Sequence, residues 1–153
     1  MRLNSTLLAV RDMDRSLAFY QSVLGLDVEL DFGANKTLTG GLVLQTLETW
    51  ESFLGTDEIS FGGRDAELYF EEDAFDRFLE HLKSQNVSYV HPVTEHAWGQ
   101  RAVRFYDPDR HIIEVGENLQ SVCCRFRAQG MTEEQIAERM DVPLHFVKSC
   151  ISF

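Results

Sequence analysis

Four polar side chains interrupt otherwise apolar strand signals, and they are the groups best placed to do chemistry. Glu114 sits inside Phe105 to Glu117, FYDPDRHIIEVGE. Glu67 opens ELYF, Gln45 lies in LVLQTL, and Ser5 begins STLLAV. A buried ionised carboxylate costs several kcal/mol unless it is paired, hydrogen-bonded or bound to a metal. Two carboxylates in one cavity repel, so one of them should hold its proton more tightly than usual. Such a pair could act as an acid or base, or bind a cationic group. The plainer expectation is that Glu114 accepts hydrogen bonds from Arg101, Arg104 or Tyr106 and fixes a pocket wall.

The elements that must position these four groups form a unit that occurs twice. Ser5 to Val10 reads as a strand. Asp12 then caps a helix with Met13, Leu17, Tyr20 and Leu24 on one face, Gly25 stops it, and Leu26 to Phe32 resumes an extended pattern. About sixty residues later Glu67 to Phe70 is a strand. Asp73 is expected to cap a helix carrying Phe75, Phe78, Leu79 and Leu82, with Asp76 reaching back as in a capping box, and Asn86 closes it. Further strands follow at 42–47 in the first unit, and at 87–90, 101–106 and 112–115 in the second. Residues 48–66 carry no clear element. Period-two alternation puts the more uniformly apolar face of each strand under the helices and leaves Ser5, Gln45, Glu67 and Glu114 on the other face. The fold expected is α+β: two βαβββ modules forming an open, U-shaped mixed sheet around a cavity.

This organisation resembles the vicinal oxygen chelate superfamily, which includes glyoxalase I, bleomycin and fosfomycin resistance proteins, methylmalonyl-CoA epimerase and extradiol dioxygenases. The stretches that carry the likeness are VRDMDRSLAFYQSVLGLDV (10–28), ELYFEEDAFDRFLEHLKSQNV (67–87), WGQR (98–101) and FYDPDRHIIEVGE (105–117). The resemblance implies a small-molecule cavity and homodimers. In its metal-dependent branches the positions matching Ser5, Gln45, Glu67 and Glu114 hold the ligands, with histidine usual at the first and third. Here both histidines are absent, which removes the imidazole that Zn²⁺, Ni²⁺ and Fe²⁺ favour and argues against a dioxygenase. The segment matching WGQR borders the pocket in such proteins, so Trp98 and Arg101 join the ligand-pocket set with Ser5, Gln45, Glu67 and Glu114. Arg110 stands where the family turn has Gly, which implies a turn that is not in a glycine-only conformation.

Composition narrows the function classes. The 153 residues carry a net charge of −11. Residues 1–118 hold ten Lys and Arg against twenty-one Asp and Glu, and residues 119–153 hold four of each. An acidic body disfavours nucleic acid and suits a cationic ligand. No apolar run approaches the ~20 residues of a membrane span, and MRLNSTLLAVRD lacks a signal-peptide layout, so a cytoplasmic protein is expected. Cys123, Cys124 and Cys150 lack a C-x-x-C spacing and fit reduced thiols. No nucleotide-binding glycine motif and no G-x-S-x-G is present. Residues 1–118 form the expected main domain, and 119–153 a helical extension resembling a small helix-turn-helix, with Thr132 as an N-cap.

The resulting expectation is a small-molecule-binding protein of the glyoxalase/bleomycin resistance type with no cofactor. The alternative is a lyase or isomerase with Glu114 and Glu67 as catalytic groups. It would hold a divalent metal, Mn, Mg, Zn or Ni, on Gln45, Glu67 and Glu114.

Overall fold

In the computed structural model, which describes residues 1–151, those residues run through eight strands and six α-helices. The first module is β1 (Thr6–Val10), α1 (Met13–Leu24), β2 (Val28–Asp31), β3 (Asn35–Leu38) and β4 (Leu42–Thr46). After α2 (Leu47–Leu54) comes the second: β5 (Glu67–Glu72), α3 (Phe75–Ser84), β6 (Ser88–Glu95), β7 (Arg101–Tyr106) and β8 (Ile112–Glu117). Helices α4 (Leu119–Ala128), α5 (Glu133–Met140) and α6 (Leu144–Ile151) complete it. Each module makes one four-stranded mixed sheet, in orders β1-β4-β3-β2 and β5-β8-β7-β6. Both sheets are open, and β1 and β5 border one cleft of about 400 Å³ lined by Ser5, Thr6, Glu67 and Tyr69 among others. The sequence left α2 and β3 unplaced, because eight residues of LETWESFL offer barely two helical turns of pattern.

Alternation places the core where expected. Val10, Leu42, Leu44, Val103, Phe105, Ile113 and Val115 share one apolar cluster with Tyr20 and Val23 of α1 and with Phe75 and Leu82 of α3. Both helices therefore cover one continuous face, which joins the modules through a common core. Two polar ties reinforce the seam. The buried Tyr20 hydroxyl donates to Asp107 Oδ2 at 2.9 Å, and Arg11 donates through its backbone N and Nη1 to Asp109, both at 3.1 Å. Burial, then the nearby Asp107, pushes the Tyr20 phenol well above its ordinary pKa, so it remains a donor.

Local signals were obeyed where nothing competed. Asp12 accepts from Arg15 N at 2.9 Å, Gly25 ends α1 with φ 68°, and Thr132 caps α5 in a capping box with Gln135. Three expectations fail. Asp73 does not cap α3: residue Ala74 takes that place without a side-chain bond, and Glu72 Oε1 accepts from Ala74 N instead. The Asp76 carboxylate, drawn to Arg101 at 2.7 Å, cannot reach back. Arg110 does adopt the left-handed conformation, with φ 75°. Asp107 Oδ1 fixes that turn by accepting from Asp109 N and His111 N, and the Arg110 guanidinium lies 3.7 Å from the centre of the Tyr106 ring.

The C-terminal helices pack on each other around Val122, Cys123, Phe126, Ile136, Met140, Val147 and Cys150. All three cysteines are free thiols.

Candidate functional site

Cross-strand register decides which groups meet on the open face of the second sheet. Tyr69 of β5, Glu114 of β8 and Arg104 of β7 are direct neighbours across three strands, so their side chains rise from the same face. Glu67 and Glu71 flank Tyr69 on that face two residues away in each direction. Glu114, which is 4% exposed, forms an ion pair with Arg104 Nη2. Arg104 also donates through Nε to Glu67 Oε2 at 2.8 Å, and its Nη1 lies 3.4 Å from His91 Nε2. One guanidinium thus sits between the two carboxylates.

Their proton affinities diverge accordingly. Burial, then the adjoining Glu67 carboxyl, pushes Glu114 above the usual carboxylate range, against the pull of Arg104. Hydrogen bonding to Arg104 holds Glu67 below that range. Arg104 itself is raised, chiefly by Glu67. Two carboxylates compete for one cation, and the more buried one keeps the higher pKa.

The loop between β6 and β7 supplies the rest. His96 Nε2 lies 4.0 Å from Glu114 Oε1, and its ring stacks on Trp98 at 4.3 Å and 10°. Trp98 Nε1 donates to Gln100 Oε1 at 3.0 Å, and Gln100 Nε2 donates to Tyr69 Oη at 3.0 Å and to the Glu117 carbonyl at 2.8 Å. Gly116 makes room for this junction: a Cβ there would lie about 3.0 Å from Tyr69 Oη. Trp98 remains 40% exposed and Tyr69 49%, so two aromatic surfaces stay open beside the carboxylates.

Of the six pocket residues expected, Glu67, Glu114 and Trp98 come together, with Ser5 bordering the same cleft as Glu67. Gln45 does not join them by any contact; it spends its amide inside the first module. Its Oε1 accepts from Asn35 Nδ2 at 2.8 Å, and its Nε2 donates to Ala34 O at 3.0 Å and to Thr49 Oγ1. Arg101 is a correction. It projects from the helix-facing side of β7, donates to Asp76 and to Glu117, and lies over Phe75. Its parity with the core residues Val103 and Phe105 carried that signal. Arg104, Tyr69 and Gln100 were not assigned to the pocket, although β7–β8 hairpin pairing from Tyr106 and Ile112 inward brings Arg104 opposite Glu114.

A metal on Gln45, Glu67 and Glu114 does not fit these residues. The amide oxygen of Gln45 already accepts a hydrogen bond, and both carboxylates face a guanidinium. A cation placed there would repel Arg104 at close range. Among the described residues, no group of three or more His, Cys, Asp or Glu is arranged to hold a metal ion.

Comparison with known proteins gives the architecture its place. The Glyoxalase-like domain family matches residues 3–120. The uncharacterized Bacillus subtilis protein YraH is 26% identical over 128 residues, spanning 78% of this chain and all of YraH. The crystal structure of a protein of unknown function from Agrobacterium tumefaciens C58 is 38% identical, with a TM-score of 0.70, over 77% of this chain and 94% of that one. A lactoylglutathione lyase from Agrobacterium tumefaciens shares the fold at 24% identity and a TM-score of 0.58, over 77% and 94% of the two chains. The chain belongs to the Glyoxalase-like domain family and has the vicinal oxygen chelate fold.

Proposed function

We propose that this protein binds a small organic molecule on the open face of its second module without a resident metal. The observation that carries this reading is the Arg104 guanidinium between Glu67 and Glu114. It supplies, from within the chain, the positive charge that the two carboxylates require.

The ligand class follows from what remains open. Trp98 and Tyr69 offer flat apolar surfaces. Glu67, Glu71 and Glu114 outnumber the one guanidinium on this face, within a chain of net charge −11. These features favour a planar organic cation, stacked on an aromatic ring with its charge toward the carboxylates. The free thiols accord with a cytoplasmic setting. Homodimerisation belongs to the same reading. The first module's edge strand β2 leaves Val28, Leu30 and the following Phe32 exposed, apolar surface at a sheet edge suited to covering by a second copy.

Three measurements test the proposal. Titration with ethidium, a planar aromatic cation, should saturate, and Trp98→Ala should weaken binding roughly tenfold, in line with loss of one stacking contact. Equal affinity in wild type and variant would remove Trp98 from the site. Light scattering should read about twice the 17.6 kDa chain mass; a monomer would contradict the dimer. The third is pH dependence. Glu114 has a folded pKa above its unfolded value, so its ionisation costs stability as pH rises through that window. Wild-type unfolding free energy should therefore fall relative to Glu114→Gln from about pH 4.5 upward, then level off once Glu114 is ionised in both states. A gap that moves in favour of the wild type over that range would show that Arg104, not burial, governs this carboxyl.

A further inference from the structure

Loop 96–100, together with Glu95 at the end of β6, carries His96, Trp98 and Gln100 to the open face. Its own backbone gives it a single tight turn, closed by His96 N to Gln100 O and Gly99 N to His96 O, both at 2.8 Å. Gln100 ties its end to Tyr69 and the Glu117 carbonyl, and further grip comes from the C-terminal helices. Arg125 of α4 donates from Nη2 to the Gly99 carbonyl at 2.6 Å, and Arg139 of α5 donates from Nη1 to the Ala97 carbonyl. Arg139 Nη2 also meets Glu95 Oε1 at 3.0 Å, with Arg125 Nη1 3.7 Å from the other oxygen of that carboxylate.

Between the two arginines lies Phe126, buried against Gly99. Gly99 has φ 87°, and a Cβ on it would overlap the Phe126 ring. Both guanidiniums lie over that ring, 4.8 and 5.6 Å from its centre. Arg125 is itself fixed by buried Glu117 through bonds of 3.1 and 2.9 Å. Arg101 braces the same carboxylate from the other side, and together they hold Glu117 below the usual range despite its burial. The loop is thus held at two carbonyls, Ala97 and Gly99, on either side of Trp98.

We propose that the C-terminal helical unit is the positioning element of the ligand-binding loop. Arg125, Phe126 and Arg139 are positioning residues that set where Trp98 and His96 stand against Glu114. The family match ends at residue 120, so this unit is an addition to the shared domain that acts on its pocket. Its significance for binding rests on the ligand site proposed above, whereas its mechanical role is tested without any ligand.

The chain has two tryptophans, so in a Trp50→Phe background acrylamide quenching reads Trp98 alone. Arg139→Ala should raise the quenching constant roughly twofold as the loop loosens, with unchanged far-UV circular dichroism. Arg139→Lys should restore it in part. Arg127→Ala is the control, because the Arg127 guanidinium donates to the Met131 carbonyl, inside the extension. Should Arg139→Ala fold poorly, Glu95→Gln weakens the same clamp from the loop side. In either clamp variant ethidium affinity should fall roughly fivefold, since an unanchored loop must be ordered on binding. Unchanged quenching in both clamp variants, or an equal rise in Arg127→Ala, would overturn the proposal. Failure of wild-type protein to bind ethidium would sink the ligand reading and leave the quenching result to decide this one.

Discussion

The open face is organised by one electrostatic constraint: Glu114 is buried at the centre of a sheet and must have a counter-charge. Arg104 meets it across the strand and reaches Glu67 at the same time. Removing one partner of such a pair leaves an uncompensated buried charge and typically costs ~3–5 kcal/mol. That dependence explains why the neighbouring groups are tied so fully. Gln100 satisfies Tyr69, Trp98 and the Glu117 carbonyl at once, and His96 is wedged between Trp98 and Glu114. A metal at these carboxylates and the guanidinium are mutually exclusive solutions to the same charge problem.

Around that face the chain uses further buried carboxylates as joints. Asp107 organises the β7–β8 turn while accepting the Tyr20 hydroxyl from the other module, and Asp109 receives Arg11. Glu117, at the end of β8, gathers Arg101 and Arg125, linking α3, β7 and the C-terminal helices. Each joint joins segments far apart in sequence. An overall acidic chain thereby places its few cations where they hold the architecture together, and its open face keeps an excess of negative charge.

Much of this was legible from residue patterns. The strand, Asp-capped helix and glycine stop around 10–28 marked the first module, and strict alternation separated Glu114 from Ile113 and Val115. Parity also held the answer for Arg101, which shares a face with Val103 and Phe105, yet likeness to a pocket-border segment pointed the other way. What alternation could not supply was competition between partners. Asp76 abandons a capping role for Arg101, and Gln45 is satisfied by Asn35 and Thr49 from elements the pattern did not reveal. Nor could it show that Phe126, some twenty-seven residues beyond Gly99, would settle against it.

The most direct test is the elemental metal content of untagged protein, wild type beside Glu114→Gln. If Arg104 provides the counter-charge, both proteins should carry far less than one divalent metal per chain, and added Mn²⁺, Ni²⁺ or Zn²⁺ should leave the unfolding midpoint of each unchanged. About one metal per chain in the wild type, lost in Glu114→Gln, would contradict the account, because the carboxylates would then have to release Arg104 to ligate it.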